Sequence, residues 1–290
     1  MQPAAAAARI LDSSAGACRC DVLFSRAMSP LFATASCFSE RIRVNTFTRE
    51  IRDGRRLWIK RRRRSAGLTL ACANRFFRLA GSRVQALTEV AAWQRWEVDC
   101  FVRLHGERYR AFAVGDRSVA AEELPGVSLA RFLDPGRMTP EMAAAAAREL
   151  RRAHAAECPV FGSRWSHGDP HAGNFLYDEV EDRARLIDFE VAHDTALSPD
   201  ERHADDLLVF LQDVVGRVST DVWLRLAGAF LDAYDRPEIS ARLARSLILP
   251  RGIPRLWWAV RTTYLPGAEL AARLELLREA LARRGVIADR

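Results

Sequence analysis

Lysine is all but missing from these 290 residues: of 44 basic side chains, 43 are arginine and one, Lys60, is not. A residue type used once sits where arginine will not serve. No run of eighteen or more apolar residues occurs, so the chain offers no candidate membrane-spanning helix. The six cysteines, Cys18, Cys20, Cys37, Cys72, Cys100 and Cys158, lack the paired spacing of a metal site, and a reducing, cytoplasmic setting is the simpler reading. Nothing resembling a nucleic-acid recognition motif or an interleaved aromatic strand pattern accompanies the basic residues, which speaks against nucleic acid as a partner. Between Glu40 and Lys60 the only glycine is Gly54, so a GxGxxG cradle for phosphates is missing too.

What is present is a globular composition, 49% hydrophobic, with a lopsided charge. From Arg41 to Arg83 fourteen basic residues stand against Glu50 and Asp53, a local net of +12 in a chain of net +7. Arg61, Arg62, Arg63 and Arg64 directly follow Lys60 and read as a basic face able to meet an anionic lipid surface or a phosphorylated saccharide, or merely water. Lys60 closes the apolar run Leu57-Trp58-Ile59, entered through a turn at Asp53-Gly54, which predicts the second strand of a hairpin. A compact ammonium on a flexible stem suits contact with two phosphates at once.

Two stretches hold the chemistry: HGDPHAGN, His167 to Asn174, and RLIDFE, Arg185 to Glu190. Phe175 to Tyr177 reads as a strand, Asp178 to Asp182 as a turn and Ala184 to Ile187 as the returning strand. That hairpin brings Asn174 and Asp188 to one end. A hard cation such as Mg²⁺ needs little more than one carboxylate, one amide oxygen and nucleotide phosphates, which Asp188, Asn174 and ATP would supply. Asp169 is left to align an acceptor hydroxyl, the one positional demand of phosphoryl transfer.

The spaced HGDxHxxN and IDFE motifs are similar to the loops of aminoglycoside and choline phosphotransferases and of lipopolysaccharide core kinases, where protein kinases usually show HRDxxxxN and DFG. The resemblance to this kinase-like superfamily runs from about Lys60 to Asp206. It implies an α+β, two-lobed protein-kinase-like fold: 1–39 an N-terminal tail, 40–124 a small β-rich N-lobe, and 125–290 a larger, mainly helical C-lobe. It also implies that Lys60 touches the nucleotide phosphates and pairs with an acid on the following helix. Gln85 to Trp96 has helical periodicity with Glu89 near its middle, so Glu89 is the candidate and Glu97 its competitor. The phosphate-covering loop falls on Ser36 to Arg43. Glu190 stands where protein kinases have glycine, which argues against a flipping segment there.

Beyond these motifs, Ala120 to Gly126 resembles the hinge between lobes. Thr139 to Ala156 is an alanine-rich helix with Thr139 as cap and Pro140 at its first position. His203 to Phe210 begins another, in which Asp206 or Asp205 either holds the catalytic loop or simply complements the dipole. His154, His167 and His171 read as packing or loop-stabilising residues. Four helices follow between Val222 and Arg284, with Arg255, Trp257, Trp258 and Arg261 as an anionic or sugar-binding patch, or as core. The expected function is an ATP- and Mg²⁺-dependent kinase acting on a saccharide or other small hydroxyl acceptor, lipopolysaccharide-kinase-like. A protein serine/threonine kinase and an inactive, nucleotide-sensing pseudokinase are the alternatives.

Overall fold

The computed structural model describes residues 44–134 and 136–283. The chain enters a small lobe through β1 (Asn45–Arg52) and β2 (Arg55–Arg62), a hairpin turning at Asp53 and Gly54, both of positive φ. Helix α1 (Ala66–Leu79) and strand β3 (Val84–Ala86) follow, then helix α2 (Val90–His105) and the hairpin β4 (Ala111–Val114) and β5 (Ser118–Glu122). These strands make an antiparallel sheet of order β1-β2-β5-β4, with Lys60 opposite Phe47 on one side and Val119 on the other. Helix α2 packs on this sheet through Trp93, which is fully buried, while Gln94 donates to the carbonyls of Ser118 and Gly115 at 2.9 and 3.2 Å. Removing a side chain of that size from water is worth about 4–6 kcal/mol before entropy is counted.

The connection to the large lobe passes through Gly126. Its φ of +109° and the carbonyl of Tyr177, 2.6 Å from where a Cβ would lie, admit no side chain. Beyond it lie β6 (Val127–Ser128), α3 (Ala130–Leu133), α4 (Pro140–His154), and the small hairpin β7 (Glu157–Cys158) and β8 (Ser163–Arg164). After a 3₁₀ turn come β9 (Phe175–Asp178), β10 (Arg183–Leu186) and β11 (Val191–His193), then α5 (Pro199–Val215), α6 (Thr220–Tyr234), α7 (Pro237–Ser246), α8 (Ile253–Arg261) and α9 (Gly267–Arg283). Alanine explains the centre of this lobe: Ala143, Ala146, Ala147 and Ala153 are fully buried on α4, so the neighbouring α6 and β10 approach its backbone closely. Thr139 caps α4 by accepting from the Met142 amide, as the sequence predicts.

Three sequence expectations shift. Helix α1 was not anticipated. Gln85 and Ala86, expected to open a helix, belong to strand β3 instead, because β11 and the Asn74 side chain satisfy their backbone: Asn74 accepts from the Ala86 amide at 2.7 Å and donates to its carbonyl at 2.8 Å. Helix α5 starts before His203, at Pro199, where Ser198 and Glu201 form a reciprocal capping box. The phosphate-covering segment expected at Ser36 to Arg43 lies outside the described residues, as does the tail.

Candidate active site

Strand β2 alternates, so Lys60 and Arg62 share one face, where both lie over Trp93 of α2. Lys60 Nζ lies 3.0 Å from Glu97 Oε2 and 2.8 Å from Glu190 Oε1, and it also bonds Asp188 Oδ1. Burial opposes its charge, yet Asp188, Glu97 and Glu190 outweigh that and hold the ammonium above the usual lysine range. Burial likewise works against Asp188, but Lys60 keeps its carboxyl below the ordinary value. Glu190 goes the other way: burial first, then the charge of Asp188, push it up to about 7. Its Oε1 also accepts from Asn45 Nδ2.

Glu89 is not the lysine's partner. It is the N-cap of α2, where its carboxylate accepts from the Ala91 and Ala92 amides at 3.0 and 2.6 Å. Those bonds draw its pKa down. Because the helix begins at Val90 rather than Gln85, the acid facing the sheet comes two turns later, at Glu97. The signal was in the sequence: Glu97 lies in the buried stripe with Trp93, Cys100 and Leu104, and a charge inside an apolar stripe needs a partner.

The large lobe supplies the rest. The β9–β10 register sets Phe175 opposite Leu186, and the Ile187 amide donates to the Asn174 carbonyl at 3.0 Å, so Asn174 and Asp188 meet at the same end as expected. Asp188 has φ +68°, a left-handed conformation that a non-glycine residue adopts at some cost and that is common at functional sites. Asn174 Nδ2 donates to the Asp169 carbonyl at 2.9 Å, which leaves the amide oxygen as its free acceptor. Asp188 bonds Lys60 and Glu190 and lies at the same end as the Asn174 amide oxygen, and a carboxylate with an amide oxygen is the donor pair that a hard cation shared with phosphate oxygens takes. Among the described residues no three His, Cys, Asp or Glu side chains form a metal cage of their own.

The loop bearing Asp169 is held from beneath. Asp206, fully buried on α5, accepts from the amides of His167 and Gly168 at 2.8 and 2.7 Å and from His154 at 2.9 Å. Asp206 therefore does what the sequence left open between it and Asp205, whose carboxylate accepts from His193 instead. Asp213 adds a bond from the Ala172 amide at 2.9 Å. Gly168, φ +90°, lets the loop pass under Val84 and Val191. His167 is buried, its pKa lowered by that burial, and reaches the Ile187 carbonyl; it packs the loop rather than titrating. Asp169 itself is about 40% exposed, with Arg261 Nη2 3.4 Å from its Oδ1.

Sequence reasoning missed Asn45, Asp213, the contact of Arg261 and the inward turn of Arg62. Arg62 is no part of a basic face. It is 2% exposed, stacks 4.2 Å over Trp93 and bonds the Leu87 carbonyl. Arg61, Arg63 and Arg64 are exposed.

A small sheet with a buried lysine, a helix giving it a glutamate, and a helical lobe presenting Asp169, Asn174 and Asp188 decide the architecture. The chain has the two-lobed kinase-like fold. No family profile and no curated protein matches it. Among solved structures it is similar to an ethanolamine kinase of Plasmodium vivax, at 10% identity and TM-score 0.44, covering 84% of this chain and 81% of that one. It is similar to the Mycobacterium tuberculosis protein Rv3197 in complex with erythromycin, at 18% identity and TM-score 0.37, over 83% and 74%. A third likeness is to the bifunctional kinase-methyltransferase WbdD, at 16% identity and TM-score 0.36, over 72% of this chain and 47% of that one. No helix among the described residues is long and apolar enough to cross a membrane.

Proposed function

We propose that the chain is a phosphotransferase that moves the γ-phosphoryl group of ATP to a hydroxyl of a saccharide or other small acceptor. The observation that supports it is the buried lysine, paired with Glu97 and joined to Asp188 at the end of the hairpin that also positions Asn174. Lys60 would contact the nucleotide phosphates, with Glu97 fixing its ammonium in place. Asn174 and Asp188 would hold Mg²⁺, which when bound offsets charge on the phosphate oxygens. Asp169 aligns the acceptor hydroxyl and takes its proton as the new oxygen–phosphorus bond forms and the bond to the ADP oxygen breaks.

Turnover with γ-labelled ATP tests this reading. Asp169→Asn should lower it by about 10²–10⁴-fold, the range for a positioned acid–base group, while the rise in melting temperature with Mg·ATP persists. A melting temperature indifferent to Mg·ATP in the unaltered protein sinks nucleotide binding. Full turnover in Asp169→Asn sinks the catalytic assignment. Label on protein rather than on saccharide acceptors would make it a protein kinase.

A further inference from the structure

A cavity of about 340 Å³ opens among the segment 80–83, helix α5, the end of α7 and helix α8. Its charged lining is one-sided, with the guanidiniums of Arg83, Arg245 and Arg261 against the single acid Asp205. That acid already engages His193, 3.3 Å away. Arg83 and Arg245 are exposed and neither is ion-paired among the described residues, Glu201 acting on Arg83 only from beyond ion-pair distance. An excess of guanidiniums around one hollow attracts an oxyanion, and their planar fork matches phosphate.

A second, independent feature points to a ligand. Gln212 lines the cavity, is only 4% exposed, and its amide has no hydrogen-bond partner among the described residues. Buried amides normally find partners. A sugar hydroxyl or phosphate oxygen in the cavity would satisfy it. Trp257 and Trp258 add aromatic surface to the same wall, Trp257 being fixed by Phe76 and Phe77 of α1 at 6.0 and 5.1 Å between ring centroids.

Arg261 joins this cavity to the reaction centre. It lies 4.7 Å over the Trp257 ring and 3.4 Å from Asp169 Oδ1, so an anion held by the arginines leaves the rest of its molecule next to the group that receives the hydroxyl proton. We propose that the acceptor is a saccharide or polyol that already bears a phosphate, and that Arg83, Arg245, Arg261 and Gln212 bind that phosphate while a free hydroxyl faces Asp169. This rests on the phosphotransferase reading and narrows it. A phosphate monoester has a charge of about −1.5 to −2 at neutral pH, suited to the two unpartnered guanidiniums. A cationic acceptor such as an amino alcohol would meet like charge.

Calorimetry without nucleotide tests the proposal apart from the kinase reading, which Mg·ATP melting judges separately. The probes are glucose 6-phosphate, glucose, ethanolamine, and a phosphorylated lipid A disaccharide in micelles. The phosphorylated probes should bind and the other two should not. Whichever of the soluble and micellar forms binds more tightly identifies the source of the phosphate. Arg245→Glu should weaken that binding roughly ten- to hundred-fold, the loss expected for a charge-assisted hydrogen bond, and Arg83→Glu should act in the same direction. Both side chains are exposed, and an unchanged melting temperature shows that the fold is kept. Glucose or ethanolamine binding as tightly as the phosphorylated probes, no phosphorylated probe binding, or both charge reversals leaving affinity unaltered would overturn it.

Discussion

The molecule handles positive charge in two opposite ways. Around Lys60 every cation meets acids: Glu97, Asp188 and Glu190 converge on one ammonium, with Arg62 close by. In the cavity beside α8 three guanidiniums line the wall with one acid, Asp205, and of the three only Arg261 is ion-paired, with Asp169, among the described residues. A centre whose charges are already matched is rigid, and it tolerates the loss of one member poorly. A centre with surplus charge gains nothing for the fold from it and is kept free for a ligand.

The largest expected effect therefore comes from removing Lys60. Lys60→Ala leaves three carboxylates crowded in a buried site without their cation, and breaking a buried ion pair this way costs about 3–5 kcal/mol. A urea titration should show the midpoint falling sharply, and the response to Mg·ATP should vanish. Arg245→Glu, by contrast, should change the unfolding free energy from the same titration by no more than about 0.5 kcal/mol, as surface changes do. Equal destabilisation by the two substitutions would erase the distinction between the centres.

Acid offers a gentler test, because two buried histidines are kept neutral: His203, which bonds the Trp165 carbonyl, and His105, which bonds the Leu186 carbonyl. Burial first, then neighbouring His154, lower His203 to about 3, and burial lowers His105 to about 4. Both lie below the ordinary histidine value near 6.5, so the unfolded chain binds more protons in between and stability rises with pH across that window. Their contribution is complete above about pH 6.5 and is lost progressively as pH falls toward 4 and 3. Glu190, held up at about 7, works the other way over the same window, so the test is a difference: between pH 7 and about pH 4.5 the unaltered protein should lose more melting temperature than His203→Gln does. Equal pH slopes in the two proteins would contradict it.

Local signals set how much of this was legible. HGDPHAGN and IDFE could be placed because a hairpin of short strands fixes its own register, and the register fixes where Asn174 and Asp188 sit. The alanine-rich α4 was legible from propensity and cap alone. What sequence could not give was long-range. Strand β3 owes its existence to β11, more than a hundred residues later, and to Asn74. Helix α1 buries only Ala66 and Leu70, so few of its side chains announce a core-facing stripe. Arg62 looked like one of four surface arginines because nothing local announces that Trp93 and the Leu87 carbonyl await it.

The smallest effect tests the sharpest of these distinctions. Glu89 and Glu97 belong to the same helical segment and differ in what they touch: backbone amides at an exposed helix end in one case, a buried ammonium in the other. Glu89→Gln should lower stability slightly through the weakened cap and leave the Mg·ATP melting shift as it was. Glu97→Gln keeps the shape but removes the charge that fixes Lys60, so most of that shift should go. Both variants keep helix propensity nearly constant, and the two results together separate a capping acid from a lysine-holding one. Were Glu89→Gln the one to abolish the shift, the pairing of Lys60 with Glu97 would not be the arrangement that binds nucleotide.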